Sequence, residues 1–345
     1  MQWIPGLRRH AARFFMAFIA LAACGAVMSS PARAQAAPIV MKIGTATLND
    51  SQNEWMKIYA KLVEKDSNGR IKVELYPASQ LGNIASMIQG TQFGSIQAYV
   101  GPPEFLSGVD ARYEALSAPG LFDDLQHANR TLQDPEFNAA FLGLGAKKGL
   151  LGIGLFLSGP VAFNTNTPVA SLTDLEGKKI RVLASEIQME QIRRLKGTPI
   201  PMSLGEVIPA MQQGTLDGVM SSTPVFTALR FYDAAKYIYD TGHAVISDLT
   251  VISKSWYDKL PPDLQKIVTE AGQQASRDVY QWSLDDVAHK RQVWLDAGGK
   301  YIEPSADEKM RLMAMMKPIG EKVTAKRPEE KAFFEMLLRA ADRNR

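Results

Sequence analysis

The chain has 345 residues, 46% hydrophobic and 22% charged, with a formal net charge of +3. That composition belongs to a folded globular protein of one large or two medium domains and excludes a disordered chain. The positive excess lies in residues 1–34, which hold Arg8, Arg9, Arg13 and Arg33 and no acidic residue. Without those four charges +3 becomes −1, so the sequence pI near 8.8 gives no ground for nucleic-acid binding.

Residues 1–34 read as a secretory signal peptide: a basic start, an apolar run over 14–28, then the small-x-small site Ala32-Arg33-Ala34. The run is too short for a comfortable membrane span. Leu21-Ala22-Ala23-Cys24 also resembles a lipoprotein signal, in which Cys24 becomes the lipidated first residue. The expectation is a soluble exported protein, with anchoring at Cys24 as the alternative. A chain cleaved after Ala34 keeps no cysteine for a disulfide or a thiolate zinc site.

A first strand is expected over 39–47. Asn49-Asp50-Ser51 ends it, and Ser51 with Glu54 forms a capping box. Trp55, Ile58, Tyr59, Leu62 and Val63 then mark the buried stripe of a helix. Residues 70–76 alternate as a strand, 84–89 form a short helix, and 95–100 a strand ending at Gly101-Pro102-Pro103. A loop over 114–122 precedes helices over 124–133 and 135–148. A continuous apolar strand over 150–157 ends at Ser158-Gly159-Pro160. Strands alternating with helices predict a largely parallel sheet covered on both faces.

In the second half, 178–183 alternates as a strand, with Ile180 and Val182 on one face and Lys179, Arg181 and Leu183 on the other. Ser185, followed three residues later by Gln188, starts a helix. A cation at the end of a strand, just before a helix, stands where open α/β sheets bind ligands. A solvent-facing strand arginine is the competing reading. The stretch from Ser79 through Met87-Ile88-Gln89-Gly90-Thr91 to Gly94 is echoed from Ser203 through Met211-Gln212-Gln213-Gly214-Thr215 to Gly218. Both end in a strand finishing in small or polar residues, Val100-Gly101 and Met220-Ser221-Ser222. Two similar lobes are therefore expected, each offering strand ends to a shared cleft. A strand over 249–253 leads to a helix opened by Pro261-Pro262, whose apolar face runs through Leu264, Val268, Ala275 and Val279. Over 30 residues of helix reach ~45–50 Å, enough to cross from lobe to lobe. Amphipathic helices over 307–325 and 329–341 are placed over the second lobe.

Local patterns assign no chemistry. The four histidines, His10, His127, His243 and His289, lack metal-ligand spacing. No GxSxG, P-loop, HExxH or dinucleotide fingerprint is present. No catalytic residue, metal or cofactor is assigned.

Four stretches carry a resemblance. They are Leu75-Tyr76-Pro77-Ala78-Ser79-Gln80-Leu81-Gly82, the run from Leu172 through Gly177-Lys178-Lys179-Ile180-Arg181-Val182, the run from Met202 through Glu206-Val207 and Ala210-Met211-Gln212 to Asp217-Gly218, and Trp256 with Leu260-Pro261 and Leu264-Gln265. In this order and spacing the chain resembles the DctP-type solute-binding proteins of tripartite ATP-independent periplasmic (TRAP) transporters. The resemblance implies a two-lobed, type II-like periplasmic-binding-protein fold, each lobe a mixed sheet flanked by helices. The expected division is 39–163 with about 247–280 in lobe I and 164–246 with about 281–345 in lobe II, the helix over 262–295 spanning both. It also implies a monomer that delivers a small-molecule carboxylate to TRAP membrane permease subunits, with no nucleic-acid partner.

In that family the arginine matching Arg181 holds the ligand carboxylate through two parallel hydrogen bonds, for which a guanidinium fork is well shaped. This chain departs from the family pattern at Thr167, where sialic-acid-binding members carry a second basic residue, at Ser221, often asparagine, and at Leu204, often aromatic. Leu183, Leu204, Met220 and Phe156 are expected around Arg181 as apolar neighbours, and Thr47, Asn164 and Ser221 as polar contacts. One basic clamp among apolar walls suits a monocarboxylate with a small or apolar body. Two other readings stay open: an exported enzyme on the same fold, for which His243 is the visible acid–base candidate, and a sensor subunit.

Overall fold

The computed structural model describes residue 2 and residues 37–345; Cys24 and the site at Ala32-Arg33-Ala34 lie outside the described residues. The chain opens with β1 (Ile39–Thr45), α1 (Ser51–Asp66), β2 (Ile71–Tyr76), α2 (Ile84–Phe93) and β3 (Ala98–Gly101). Two 3-10 turns, Pro103–Leu106 and Ala111–Ser117, lead to α3 (Leu125–Leu132), α4 (Pro135–Leu142) and the long β4 (Leu150–Thr165). The second half begins with β5 (Lys179–Val182), α5 (Glu186–Arg194), β6 (Thr198–Pro201), α6 (Val207–Gln212) and β7 (Gly218–Ser222). It continues through α7 (Thr223–Ala228), β8 (Tyr237–Tyr239), β9 (Val245–Ser253), α8 (Lys254–Tyr257), α9 (Pro262–Asp296) and β10 (Lys300–Ile302), and ends with α10 (Ala306–Met316), α11 (Ile319–Thr324) and α12 (Pro328–Arg343). Among the described residues no helix is long and apolar enough to cross a membrane.

The internal repeat is realised in the sheet. Its order is β2-β1-β3-β9-β4-β7-β5-β6, with β8 and β10 attached beside β4. On one flank β1 pairs in parallel with β2 and β3, and on the other β5 pairs in parallel with β6 and β7. Each flank is thus the same β-α-β-α-β unit, wound about its first strand. The sheet is mixed rather than largely parallel, because β9 and β4 run antiparallel between the flanks. β4 does not stop at Leu157. It continues through Ser158-Gly159-Pro160 to Thr165, absorbing register shifts between Gly152 and Gly154 and between Leu157 and Gly159, so one strand serves both lobes. β6 carries two prolines, Pro199 and Pro201. A proline-bearing strand is tolerated here because β6 is the edge of the sheet.

Strand alternation sorts the core into three bodies. Met41, Ile43, Trp55, Tyr59 and Phe156 pack under α1 and the first half of α9. Val219, Phe226, Phe231 and Trp294 fill the corresponding place on the other flank. A larger layer runs continuously through both lobes, from Tyr99, Tyr113 and Phe141 to Phe163, Val182 and Leu337. The C-terminal helices do not simply cover the second lobe. α12 packs on the turn Ala111–Ser117, α3 and α4, setting Phe333 5.9 Å from the ring of Phe137, while α11 packs on α5.

α9 is one unbroken helix of 35 residues. It buries Val268 and Ala275 at one end and Trp294 at the other, so it spans both lobes. Gly272 inside it is costly for helix propensity, by about 1 kcal/mol relative to alanine. The fold needs it: a Cβ there would overlap the carbonyl oxygen of Ile153 on β4. Gly154 answers from the strand side, where a Cβ would stand 2.6 Å from Ser276 Oγ and 2.8 Å from the Trp55 ring. Ser276 in turn accepts from Trp55 Nε1 at 3.0 Å and donates to the Gly272 carbonyl at 2.8 Å. Gly272→Ala is therefore expected to cost about 1–3 kcal/mol despite the better helix former, the usual range for overpacking against fixed atoms. Urea unfolding of the two proteins checks this, and an unchanged midpoint would contradict the close packing of α9 on β4.

Candidate functional site

The ends of β1, β3, β5 and β7 meet in a cavity enclosing about 370 Å³ of space, part of it open to solvent. Parallel strands carry their ligand sites at their C-terminal ends, where side chains leave the sheet and helices begin. From the first flank come Ala46, Thr47, Gln52, Ile84, Tyr99, Pro102 and Phe105; from the second come Arg181, Leu183, Leu204, Ser221 and Val225; Ser158 and Ile246 line the middle.

Arg181 is the charged member of that lining, and local sequence sets its pose. Ile180 and Val182 turn into the shared core, which sends Arg181 to the opposite face. Ser185 then caps α5 by accepting from Gln188 N at 3.3 Å, and the Gln188 side chain accepts from Leu183 N at 2.9 Å. The turn is pinned from outside as well. The Glu114 carboxylate accepts from Ser185 Oγ at 3.1 Å and Glu186 N at 2.6 Å, and Ser107 donates to the Ala184 carbonyl at 2.8 Å. An acidic group at this helix end is favoured by the unpaired N–H groups there.

The guanidinium itself is 1% exposed. Its Nε donates to the Met202 carbonyl at 3.0 Å, and its carbon lies 5.8 Å from the centre of the Phe105 ring. Among the described residues no carboxylate pairs with it, and its Nη2 is buried without a hydrogen-bond partner. Burial lowers its pKa to about 10, so it remains a cation at neutral pH. The nearby acids do not neutralise it. Burial and the Asp50 carboxylate hold Asp248 well above the ordinary carboxylate range, and burial lifts Glu104 to about 7. A buried cation without an anion is strongly unfavourable unless something else supplies the negative charge.

Of the residues singled out in the sequence, Arg181, Leu183, Leu204, Thr47 and Ser221 line the cavity, and Met220, Phe156 and Asn164 do not. Met220 precedes Ser221 on β7, so the two face opposite sides of the sheet, and Met220 joins the shared core. Phe156 stacks on Trp55, 5.7 Å between centres. Asn164 donates to the Ala235 and Tyr237 carbonyls at 3.0 and 3.1 Å, tying β4 to the approach of β8. Tyr99, Gln52 and Phe105 are lining residues that sequence reasoning missed. The small-residue ending Gly101-Pro102-Pro103 marked the strand end, and the aromatic two residues before it was the available signal.

A family profile described as bacterial extracellular solute-binding protein, family 7 (DctP), matches residues 44–327. The 2,3-diketo-L-gulonate-binding periplasmic protein YiaO of Escherichia coli K12 is 30% identical over 72% of this chain and 74% of its own. The crystal structure of a TRAP periplasmic solute-binding protein from Xanthobacter autotrophicus Py2, with bound β-D-galacturonate, is 25% identical and covers 87% of this chain and 99% of that one, with a TM-score of 0.80. One from Desulfovibrio salexigens, with bound orotic acid, is 24% identical with a TM-score of 0.84, over 89% and 99% of the two chains.

His243, the acid–base candidate, does not line the cavity. It is buried, stacks on Phe163, and sits 2.7 Å from Thr241 Oγ1 and 2.9 Å from Gln191 Oε1. Gln191 Nε2 donates to the Ser117 carbonyl, so its Oε1 accepts from His243 Nε2–H. Burial lowers the His243 pKa from 6.5 to about 4. The unfolded chain therefore binds this proton more readily than the folded one. The stabilisation from keeping the ring neutral is complete above about pH 6.5 and is lost as pH falls toward 4, a contribution on the order of 3 kcal/mol. Glu104 works in the opposite sense, its folded pKa being raised. The prediction is thus a difference: between pH 7 and pH 4 His243→Gln loses less stability than the unsubstituted protein. Parallel pH profiles of the two in urea unfolding would refute it.

Proposed function

Because the chain belongs to the bacterial extracellular solute-binding protein family 7, we propose that it captures a small organic acid in the cleft and delivers it to the membrane permease of a TRAP transporter. The observation that carries this reading is the buried Arg181 guanidinium, fixed on one side by Met202 and unpartnered at Nη2 in the cavity wall. A ligand carboxylate supplies the missing charge and accepts the free N–H groups, a charge-assisted contact strengthened by the dry surroundings. The carboxylates bound by relatives, 2,3-diketo-L-gulonate and galacturonate, agree with that chemistry. The cavity needs only to bind, so the protein acts as a carrier and not as an enzyme.

The rest of the reading follows the same logic. The lobes are 39–163 with about 247–280, and 164–246 with about 281–345, with α12 reaching back onto the first lobe. They close over the ligand about β4, β9 and α9, the segments common to both, giving the permease a shape that differs between loaded and empty protein. The protein acts as a periplasmic monomer, exported by the segment before Ala34.

Arg181→Met is the direct test. Removing a buried, unpaired cation in favour of an apolar chain of similar length leaves the fold as stable or more so. Binding falls by about 30-fold to several-thousand-fold, the usual consequence of losing one partner of a buried charged hydrogen-bond pair. A thermal-shift screen of organic acids finds the ligand, since a compound at 100 times its Kd stabilises by roughly 2.7 kcal/mol. Calorimetry on both proteins then decides. Equal affinities would remove Arg181 from the role.

A further inference from the structure

Of the cavity's lining residues, Tyr99 and Arg181 carry fully buried polar atoms without a hydrogen-bond partner: the phenol oxygen and Nη2. Gln52 and Ser158 are better provided for. Gln52 donates to Asp248 at 2.9 Å and accepts from Thr45, and the Ser158 hydroxyl lies 3.5 Å from that of Ser222. Native proteins rarely leave a buried polar atom unpaired, and two facing one cavity from separate strands point to a common absent partner.

The placement of Tyr99 is specific. It stands on β3, on the opposite side of β4 from β5 and Arg181. Its ring runs along the strand toward the cavity end, so that a Cβ at Gly101 would overlap its hydroxyl. Burial and the Asp248 and Glu104 carboxyls push the phenol above its ordinary range. At neutral pH it is therefore a neutral hydroxyl with a proton to give, suited to an anion that already faces Arg181.

Resting on the reading that Arg181 takes a carboxylate, we propose that Tyr99 is the second donor to that carboxylate, from the opposite lobe, and that the site selects compact monocarboxylates with an apolar body. One carboxylate satisfies the cavity's single cation and the free phenol together. Ile84, Phe105, Leu183, Leu204 and Val225 supply an apolar wall, and the remaining polar lining, Thr47, Gln52, Ser158 and Ser221, is uncharged, so a second carboxylate meets no second cation. The ligand thereby ties the two flanks through its charged end.

The test titrates the purified protein, Tyr99→Phe and Arg181→Met with benzoate, phenylacetate and 4-methylpentanoate, using succinate and D-galacturonate as controls, by calorimetry and thermal shift. The expected result is that at least one of the three monocarboxylates binds the unsubstituted protein more tightly than either control. Tyr99→Phe then weakens it by about 5- to 150-fold, the effect of removing one hydrogen bond to a buried group. Without ligand, Tyr99→Phe melts at the same temperature as the unsubstituted protein or higher, because an orphaned hydroxyl has been removed. A lower melting temperature would assign the phenol a structural role and overturn the proposal. Unchanged affinity in Tyr99→Phe, with binding lost in Arg181→Met, overturns Tyr99 alone. Unchanged affinity in Arg181→Met overturns the carboxylate reading itself. Binding of neither aromatic nor branched monocarboxylate, or tighter binding of a control, overturns the ligand class.

Discussion

A buried guanidinium that no carboxylate among the described residues neutralises organises this molecule. Arg181 is as buried as the core aromatics around it, yet its hydrogen bond to a backbone carbonyl satisfies one N–H and leaves the charge unanswered. Such an arrangement persists only if the surrounding structure holds it firmly. The hold is visible: β5 is flanked by β6 and β7, the turn after it is capped by Ser185 and Gln188, and Glu114 pins that turn from the other flank. The apolar layer shared by both lobes, with α12 seated on the segment that carries Glu114, makes these supports part of one packed body. Binding can be strong because the cost of burying the cation has been met during folding, before any ligand arrives.

Much of this was legible in the chain. The two echoing stretches became two flanks with the same winding, and the uninterrupted apolar face after Pro262 became a helix of 35 residues. The alternation through Lys179 and Val182 placed Arg181 correctly on its face. These are local signals, carried by residues within a few positions of each other. The site's other half was not legible, for a physical reason. Tyr99, Gln52 and Phe105 belong to the flank that is joined to Arg181 only through strand pairing across β9, β4 and β7, which no local spacing records. Facing along β4 was equally hidden, because two register shifts interrupt the alternation and no count carried through them can tell which side Phe156 takes. Met220 illustrates a simpler limit: adjacent strand residues cannot share a wall, so the pairing of Met220 with Ser221 could never have been wholly right.

The division of polar labour also differs from what residue type implies. His243 has the chemistry of a catalyst and the surroundings of a core residue, pinned by Thr241 and Gln191 and held neutral by burial. Tyr99, unremarkable in sequence, sits with its hydroxyl unspent in the cavity. What separates them is the number of hydrogen bonds already satisfied, a property of the assembled fold and not of the side chain.

The two prolines of β6 have a consequence outside ligand binding. Thr198 N donates inward to the Lys178 carbonyl, so the backbone nitrogens of Pro199 and Pro201, which alternate with it, face off the sheet. Those are the positions whose N–H groups would greet a strand from another molecule. With no hydrogen to offer there, the outer rim of the second lobe is a poor template for edge-to-edge pairing, and the protein is protected against aggregation along it at no cost to its own β5–β6 ladder.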